Sequence, residues 1–157
     1  MEFNAIYTAY WQKIYRVCRA YLNDDDWAKD VAQDTFVAVW NQLANFRNES
    51  SVSTWIYRIA VNNCLRQIEK QKRLPKADFP EQLAEKTEIP KEGKLAFLYQ
   101  SINELKEIDR VIISLELEDV KQAEIAAIVG ISEANVRVKI HRIKEKLTEK
   151  FKRYDGD

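Results

Sequence analysis

Numbered at about 100° per residue, the chain from Ser53 onward separates into two faces. Tyr57, Ala60, Val61, Cys64 and Ile68 fall on one side, and Trp55, Arg58, Asn62 and Arg66 on the other. The apolar side is what a packed helix needs. The same spacing of three and four recurs upstream. Phe3, Ile6, Tyr7, Tyr10, Ile14, Val17, Cys18 and Tyr21 predict a helix over about Asn4 to Leu22. The run Asn23-Asp24-Asp25-Asp26 breaks it and offers an aspartate to cap the next helix at its positive end. That second helix extends to about Asn45, with Ala32, Phe36, Val39, Trp40 and Leu43 expected on its inner face. A loop, Phe46 to Ser53, leads into the third helix, which ends near Arg73.

Between Leu74 and Lys94 the periodicity stops, and all three prolines (Pro75, Pro80, Pro90) fall there. Such a stretch reads as a flexible linker. Helical patterns resume over Leu95 to Leu105, Glu107 to Leu117, Lys121 to Val129 and Ser132 to about Arg153. The expected fold is all-α: two small helical domains, 1–73 and 95–157, joined by the linker 74–94.

The second domain carries the strongest local signal. A short helix ends near Val129, and Gly130 supplies the left-handed residue of a tight turn. Ile131 points to the core, Ser132 is placed to cap the next helix, and Ala126 is small where two helices cross. These features predict a helix-turn-helix. On its second helix Val136, Ile140, Ile143 and Leu147 form the inner face. Ala134, Val138, His141 and Arg142 point away, flanked by Arg137 and Lys139. An arginine there can hold a guanine through two hydrogen bonds, and Val138 can touch a thymine methyl. Lys144, Lys146, Lys150 and Lys152 suit phosphates or solvent.

Charge sharpens this picture. Lys+Arg and Asp+Glu number 25 each, yet Ala134 to Arg153 holds eight basic residues against two acidic ones. Arg47 to Arg73 holds six against two. Local fields of that kind steer a polyanion whatever the net value. The two cysteines, Cys18 and Cys64, lie on apolar faces at no metal-like spacing, as in a reduced cytosolic protein. No apolar run approaches the ~20 residues of a membrane span, and Met1-Glu2-Phe3 begins no signal peptide. His141 stands alone, and no phosphate loop or nucleophile–base pair accompanies it. Catalytic residues, metals and cofactors are therefore not expected.

Trp55 on the polar stripe of the third helix asks for a partner. Aromatic, guanidinium and amide groups in one line, next to a loop with Phe46, Arg47, Ser50 and Ser51, are the means by which unpaired bases are held. The plainer alternative makes Trp55 a core residue at the helix start.

DVAQDTFVAVWNQLANFRNESSVSTWIYRIAVNN, followed by a tether and EIAAIVGISEANVRVKIHRIKEKL, closely resembles the extracytoplasmic-function (group IV) sigma factors of bacterial RNA polymerase. The resemblance spans nearly the whole chain, as region 2, linker and region 4. It implies binding to core polymerase (β′ clamp helices and β flap), recognition of promoter DNA and help in opening the −10 duplex, under an anti-sigma factor. By position it assigns Phe46, Arg47, Ser50, Ser51, Trp55, Arg58, Asn62 and Arg66 to the −10 strand. It assigns Arg137, Val138, Lys139, His141 and Arg142 to the −35 element, and the outer side of the second helix (Asp30, Gln33, Asp34, Val37, Asn41) to polymerase. The chain departs from the family at Ser132-Glu133-Ala134, where a Pro or Gly is frequent, and at Val138 and Lys139, where Ser or Arg is common. The rival reading is a two-domain regulator that binds duplex DNA and never engages polymerase.

Overall fold

The computed structural model describes residues 2–73 and 93–156. Seven α-helices make up these residues: α1 (Phe3–Leu22), α2 (Asp25–Gln42), α3 (Val52–Arg73), α4 (Lys94–Asn103), α5 (Glu107–Glu116), α6 (Gln122–Val129) and α7 (Glu133–Gly156). A 3₁₀ turn, Leu43–Asn45, follows α2. No strand occurs among the described residues. The linker expected over 74–94 lies, for residues 74–92, outside them.

Each helix boundary has a local cause. Asn23 takes the left-handed conformation (φ 52°) and its N–H closes α1 on the Arg19 carbonyl at 3.0 Å. Asp24 then caps α2, accepting from the Trp27 amide at 2.8 Å, with Asp25 and Asp26 in the first turn. Helices α1, α2 and α3 bury Ile14, Val17, Cys18, Ala28, Val31, Ala32, Phe36, Val39, Ile56, Tyr57, Ala60 and Cys64 between them. A fully buried aliphatic side chain of this kind contributes about 1.5–3 kcal/mol. In the second half, Ile102, Ile112, Ile113, Leu115 and Ile125 pack beneath the Val136–Ile140–Ile143–Leu147 face of α7.

The two halves touch. Helix α1 lies against α4 and α5, and the start of α3 lies against α6. Two cation–aromatic pairs cross the first of these seams: Arg19 over the Tyr99 ring at 4.5 Å, and Arg110 over the Tyr21 ring at 4.9 Å. Arg110 and Asn103 both donate to the Tyr21 carbonyl, at 3.3 and 3.4 Å. Ion pairs Arg16–Glu118 (2.7 Å) and Lys72–Glu107 (2.6 Å) flank the seam. Among the described residues, the buried Tyr21 hydroxyl and Arg110 Nε have no hydrogen-bond partner.

One expected core residue is misplaced. Trp40 is 64% exposed, not on the inner face of α2. Phe3, in the first turn of α1, meets the Trp40 ring edge-on at 5.0 Å. Tyr7, one of the residues whose spacing predicts α1, is partly open and stacks on Trp11 at 5.3 Å.

Candidate nucleic-acid interfaces

The loop before α3 turns at Asn48 (φ 57°) and ends at Ser51, whose Oγ accepts from the Thr54 amide at 3.1 Å and so caps the helix. This fixes the first turn of α3 beside the loop. Phe46 and Trp55 stack there, with ring centroids 4.5 Å apart and planes 24° apart. Both are half-buried, so Trp55 is neither a core residue nor a free platform. A cleft of about 600 Å³ opens beside the pair, lined by Gln42, Asn45, Phe46, Arg47, Glu49, Ser50, Trp55 and Arg58. Five of the residues expected to act together therefore meet: Phe46, Arg47, Ser50, Trp55 and Arg58. Ser51 serves the helix cap instead of the cleft wall. Asn62 and Arg66 are exposed one and two turns further along α3.

Beneath that stripe lies a bridge which the sequence reading missed. Asn63 donates from Nδ2 to Thr35 Oγ1 at 3.2 Å, and its Oδ1 accepts from Arg66 Nη2 at 2.8 Å. Thr35, fully buried on α2, donates in turn to the Val31 carbonyl at 2.8 Å. The Arg66 guanidinium is thus tied to the core of the three-helix half. An Asn three residues before an Arg on a helix was the available signal.

In the other half, Gly130 (φ 82°) closes α6 with its N–H on the Ala126 carbonyl at 2.8 Å, and Ser132 Oγ caps α7 by accepting from the Asn135 amide at 3.1 Å. Both match the helix-turn-helix expectation. Val136, Ile140, Ile143 and Leu147 are buried, while Arg137, Val138, His141 and Arg142 are exposed. Lys139 differs from its neighbours: it is half-buried, with Nζ 3.8 Å from Asp109 on α5. Lys144 likewise leans to Glu116, at 3.8 Å, and His141 meets Glu145 at 3.1 Å. The exposed cations on this face are Arg142 and Arg137, the latter 3.9 Å from Glu133 on its own helix, while Lys139 is drawn toward its own domain.

The outer side of α2 exposes Asp30, Gln33, Asp34, Val37 and Asn41 as expected. Trp40 lies on this exposed side as well, so the surface combines acid and amide groups with two large apolar side chains, Val37 and Trp40.

Comparison with known proteins agrees with this geometry. Residues 6–74 match Sigma-70 region 2, and residues 98–147 match Sigma-70, region 4. The RNA polymerase sigma factor YlaC of Bacillus subtilis is 33% identical, over 90% of this chain and 87% of that protein. The chain belongs to the sigma-70 family of RNA polymerase sigma factors. Within it the chain is an alternative sigma factor of the extracytoplasmic-function kind. The RNA polymerase sigma-H factor of Pseudomonas aeruginosa is 30% identical over 91% of this chain and 82% of its own length. The ECF RNA polymerase sigma-E factor of Salmonella typhimurium is 30% identical over 94% and 85%. Among solved structures, the sigma factor RpoE in complex with the anti-sigma factor NepR from Bartonella quintana superposes with a TM-score of 0.78 at 22% identity, covering 96% of each chain. CnrH in complex with the cytosolic domain of CnrY gives 0.72 at 22% identity, over 99% of this chain and 88% of that one. The sigma-factor partners, RNA polymerase and promoter DNA, favour this reading over a regulator that never meets polymerase.

Proposed function

We propose that the sigma-factor cycle is divided among three surfaces of this chain. The cleft and stripe on α3 (Phe46, Arg47, Ser50, Trp55, Arg58, Asn62, Arg66), with Ser51 fixing the helix start, hold the displaced −10 strand. Arg137, Val138, His141 and Arg142 on α7, with Lys139 at the margin, read the −35 duplex. Asp30, Gln33, Asp34, Val37 and Asn41 on α2, now with Trp40, dock on the β′ clamp helices, and residues 95–157 reach the β flap. The working domains are 1–73 and 95–157. The protein acts in the cytoplasm, performs no catalysis of its own, and answers to an anti-sigma factor, as the partners of RpoE and CnrH suggest.

The observation that carries the strand reading is the cleft itself. A stacked aromatic pair, two arginines and short polar side chains share one opening at the start of a helix whose exposed stripe continues it. Stacking and edge contacts of that kind are how unpaired bases are held. Asn62 is exposed, so Asn62→Ala should change stability by less than about 0.5 kcal/mol. Lost base contacts cost about 1–3 kcal/mol each, and promoter opening should fall accordingly. The measurement is permanganate reactivity of −10 thymines in the polymerase complex, with affinity for a −35 duplex alongside. Arg142→Ala should do the reverse, weakening the duplex and sparing opening once bound. Unchanged opening by a folded, polymerase-bound Asn62→Ala protein would remove the strand reading.

A further inference from the structure

The first half of α7 is densely charged, and almost all of that charge is paired. Arg137 lies 3.9 Å from Glu133, Lys139 3.8 Å from Asp109, His141 3.1 Å from Glu145 and Lys144 3.8 Å from Glu116. Among the described residues, Arg142 is the one basic side chain between Glu133 and Glu145 without such a partner.

The four pairs are of two kinds. Glu133–Arg137 and His141–Glu145 join residues four apart on α7 itself and are exposed on both sides, so they contribute little and open readily in water. The other two reach across from α5. Their carboxylate side chains are mostly covered, at 16% exposure for Asp109 and 20% for Glu116, against 37% for Lys139 and 58% for Lys144. The anions are therefore fixed to the domain, and the lysines, with their flexible four-carbon stems, are the movable partners.

Stability does not account for both acids. Asp109 sits in the first turn of α5, where a negative group suits the helix dipole. Glu116 is the last residue of the same helix, where a negative charge is disfavoured. Its Oε2 is also buried without a hydrogen-bond partner among the described residues, which adds a desolvation cost. The cation that this unfavourably placed carboxylate reaches is Lys144.

We propose that Asp109 and Glu116 are selectivity residues of the duplex-reading helix, because they withhold Lys139 and Lys144 from the DNA phosphates. A released lysine finds a phosphate on any sequence, so it strengthens binding without adding discrimination. With both lysines held, a random duplex offers α7 few charge contacts, and Arg142 remains free for a base edge. A duplex of the right sequence is kept through its bases, and one of the wrong sequence is let go. The inference rests on the reading of α7 as the −35 helix and adds what sets its selectivity.

The test uses the full chain and two fluorescent duplex probes. One is a pool of random sequence; the other is the set of sequences that the parent chain, bound to core polymerase, enriches from that pool. Asp109→Asn and Glu116→Gln keep the size and remove the charge, and neither residue is assigned to DNA. Each lysine released to a phosphate should steepen the dependence of log affinity on log salt by about 0.9. The advantage of either variant over the parent on random duplex should then shrink about threefold between about 50 and 200 mM salt, and that of the double variant about twelvefold. The enriched duplex should gain no more than the random one. Adding Lys139→Ala to Asp109→Asn should return the slope to the parental value, a reversal that a merely structural role of Asp109 does not give. Glu116→Gln, with Lys144→Ala as its reversal, carries the test if Asp109→Asn folds poorly. Parental slopes in the folded charge variants, or a gain confined to the enriched duplex, overturn the inference; if Arg142→Ala still weakens the enriched duplex, the −35 reading stands. Arg142→Ala binding the enriched duplex as tightly as the parent overturns both.

Discussion

Replacing Thr35 by Val separates the orientation of the stripe proposed to face the promoter from its chemistry. Thr35 is fully buried, and its hydroxyl joins the Val31 carbonyl (2.8 Å) to the Asn63 amide (3.2 Å), which holds Arg66 at 2.8 Å. Valine keeps the shape and removes only the hydroxyl. The Val31 carbonyl retains its helical N–H partner, so little is lost there. Asn63 is half-buried and can regain a water, which places the cost near the middle of the ~0.5–1.5 kcal/mol net value of a hydrogen bond. For a chain of this size that is a fall in Tm of about 2–4 °C. The functional effect is indirect: the Asn63 amide, no longer anchored, ceases to hold the guanidinium in one place. Losing about 0.7–1.4 kcal/mol of that orientation corresponds to a three- to tenfold loss of promoter opening. Asn63→Ala removes both bonds and should lose more. Thermal denaturation, permanganate reactivity of the −10 thymines and affinity for a −35 duplex are read on the same preparations. If Tm falls as expected for both variants while opening stays at the parental level, the bridge is only structural and Arg66 is positioned by something else.

The remaining expectations concern the scaffold. Gly130→Ala forces a side chain into φ 82°, and since its Cβ would meet nothing within 4 Å, the cost is the left-handed backbone alone, about 1–2 kcal/mol; an unchanged Tm would refute it. Cys18 and Cys64 are buried with sulfurs 3.7 Å apart, and the hydrogen bond between them, with burial second, pushes the Cys18 thiol well above its usual value. The raised value contributes stability present below the unfolded-state pKa of about 8.5 and lost as pH rises through the folded one. A thiol reagent should label native protein no faster than the protein unfolds, and labelling at the rate of an exposed cysteine would contradict the burial. Tyr15 donates to Asp25, and that bond, followed by Lys29, holds the Asp25 carboxyl below its ordinary value; burial with the same bond pushes Tyr15 up to about 12. The lowered carboxyl contributes stability present above the unfolded-state pKa of about 3.9 and lost as pH falls through the folded one. Tyr15→Phe should raise the Asp25 value in a carboxyl-carbon NMR titration, and no movement would assign the shift to Lys29 alone.

Helix register was legible because each apolar face closes within one helix. Val136, Ile140, Ile143 and Leu147 follow a three-four spacing that only one side of α7 can satisfy, and all four are buried. Turn chemistry was legible for the same local reason: Gly130 and Ser132 act on backbone groups within four residues of themselves. The cleft was half legible. Phe46, Arg47, Ser50, Trp55 and Arg58 come together because they are close in sequence and the Ser51 cap fixes their relation. Gln42, Asn45 and Glu49 line the same opening from the end of α2 and the loop, and nothing in their spacing marks them.

What the pattern could not reveal is where one element ends against another. Trp40 has the spacing of an inner residue, yet its exposure depends on how far the first turn of α1 reaches over the α2 C-terminus. A period of 3.6 gives direction around a helix and says nothing of the partner's length. The same limit applies with more force to charge. Lys139 and Arg142 are equivalent basic residues in the sequence, but Asp109 draws one inward while the other remains exposed. Glu124 reads as an ordinary first-turn acid, favourable to its own helix dipole. Only the approach of α3, seventy residues away in sequence, turns it into the acceptor for Ser53 and Thr54. A buried apolar side chain needs any apolar neighbour, so its fate is set by the face it lies on. A charged one needs a particular counterpart, and its role is decided by which surfaces close on each other.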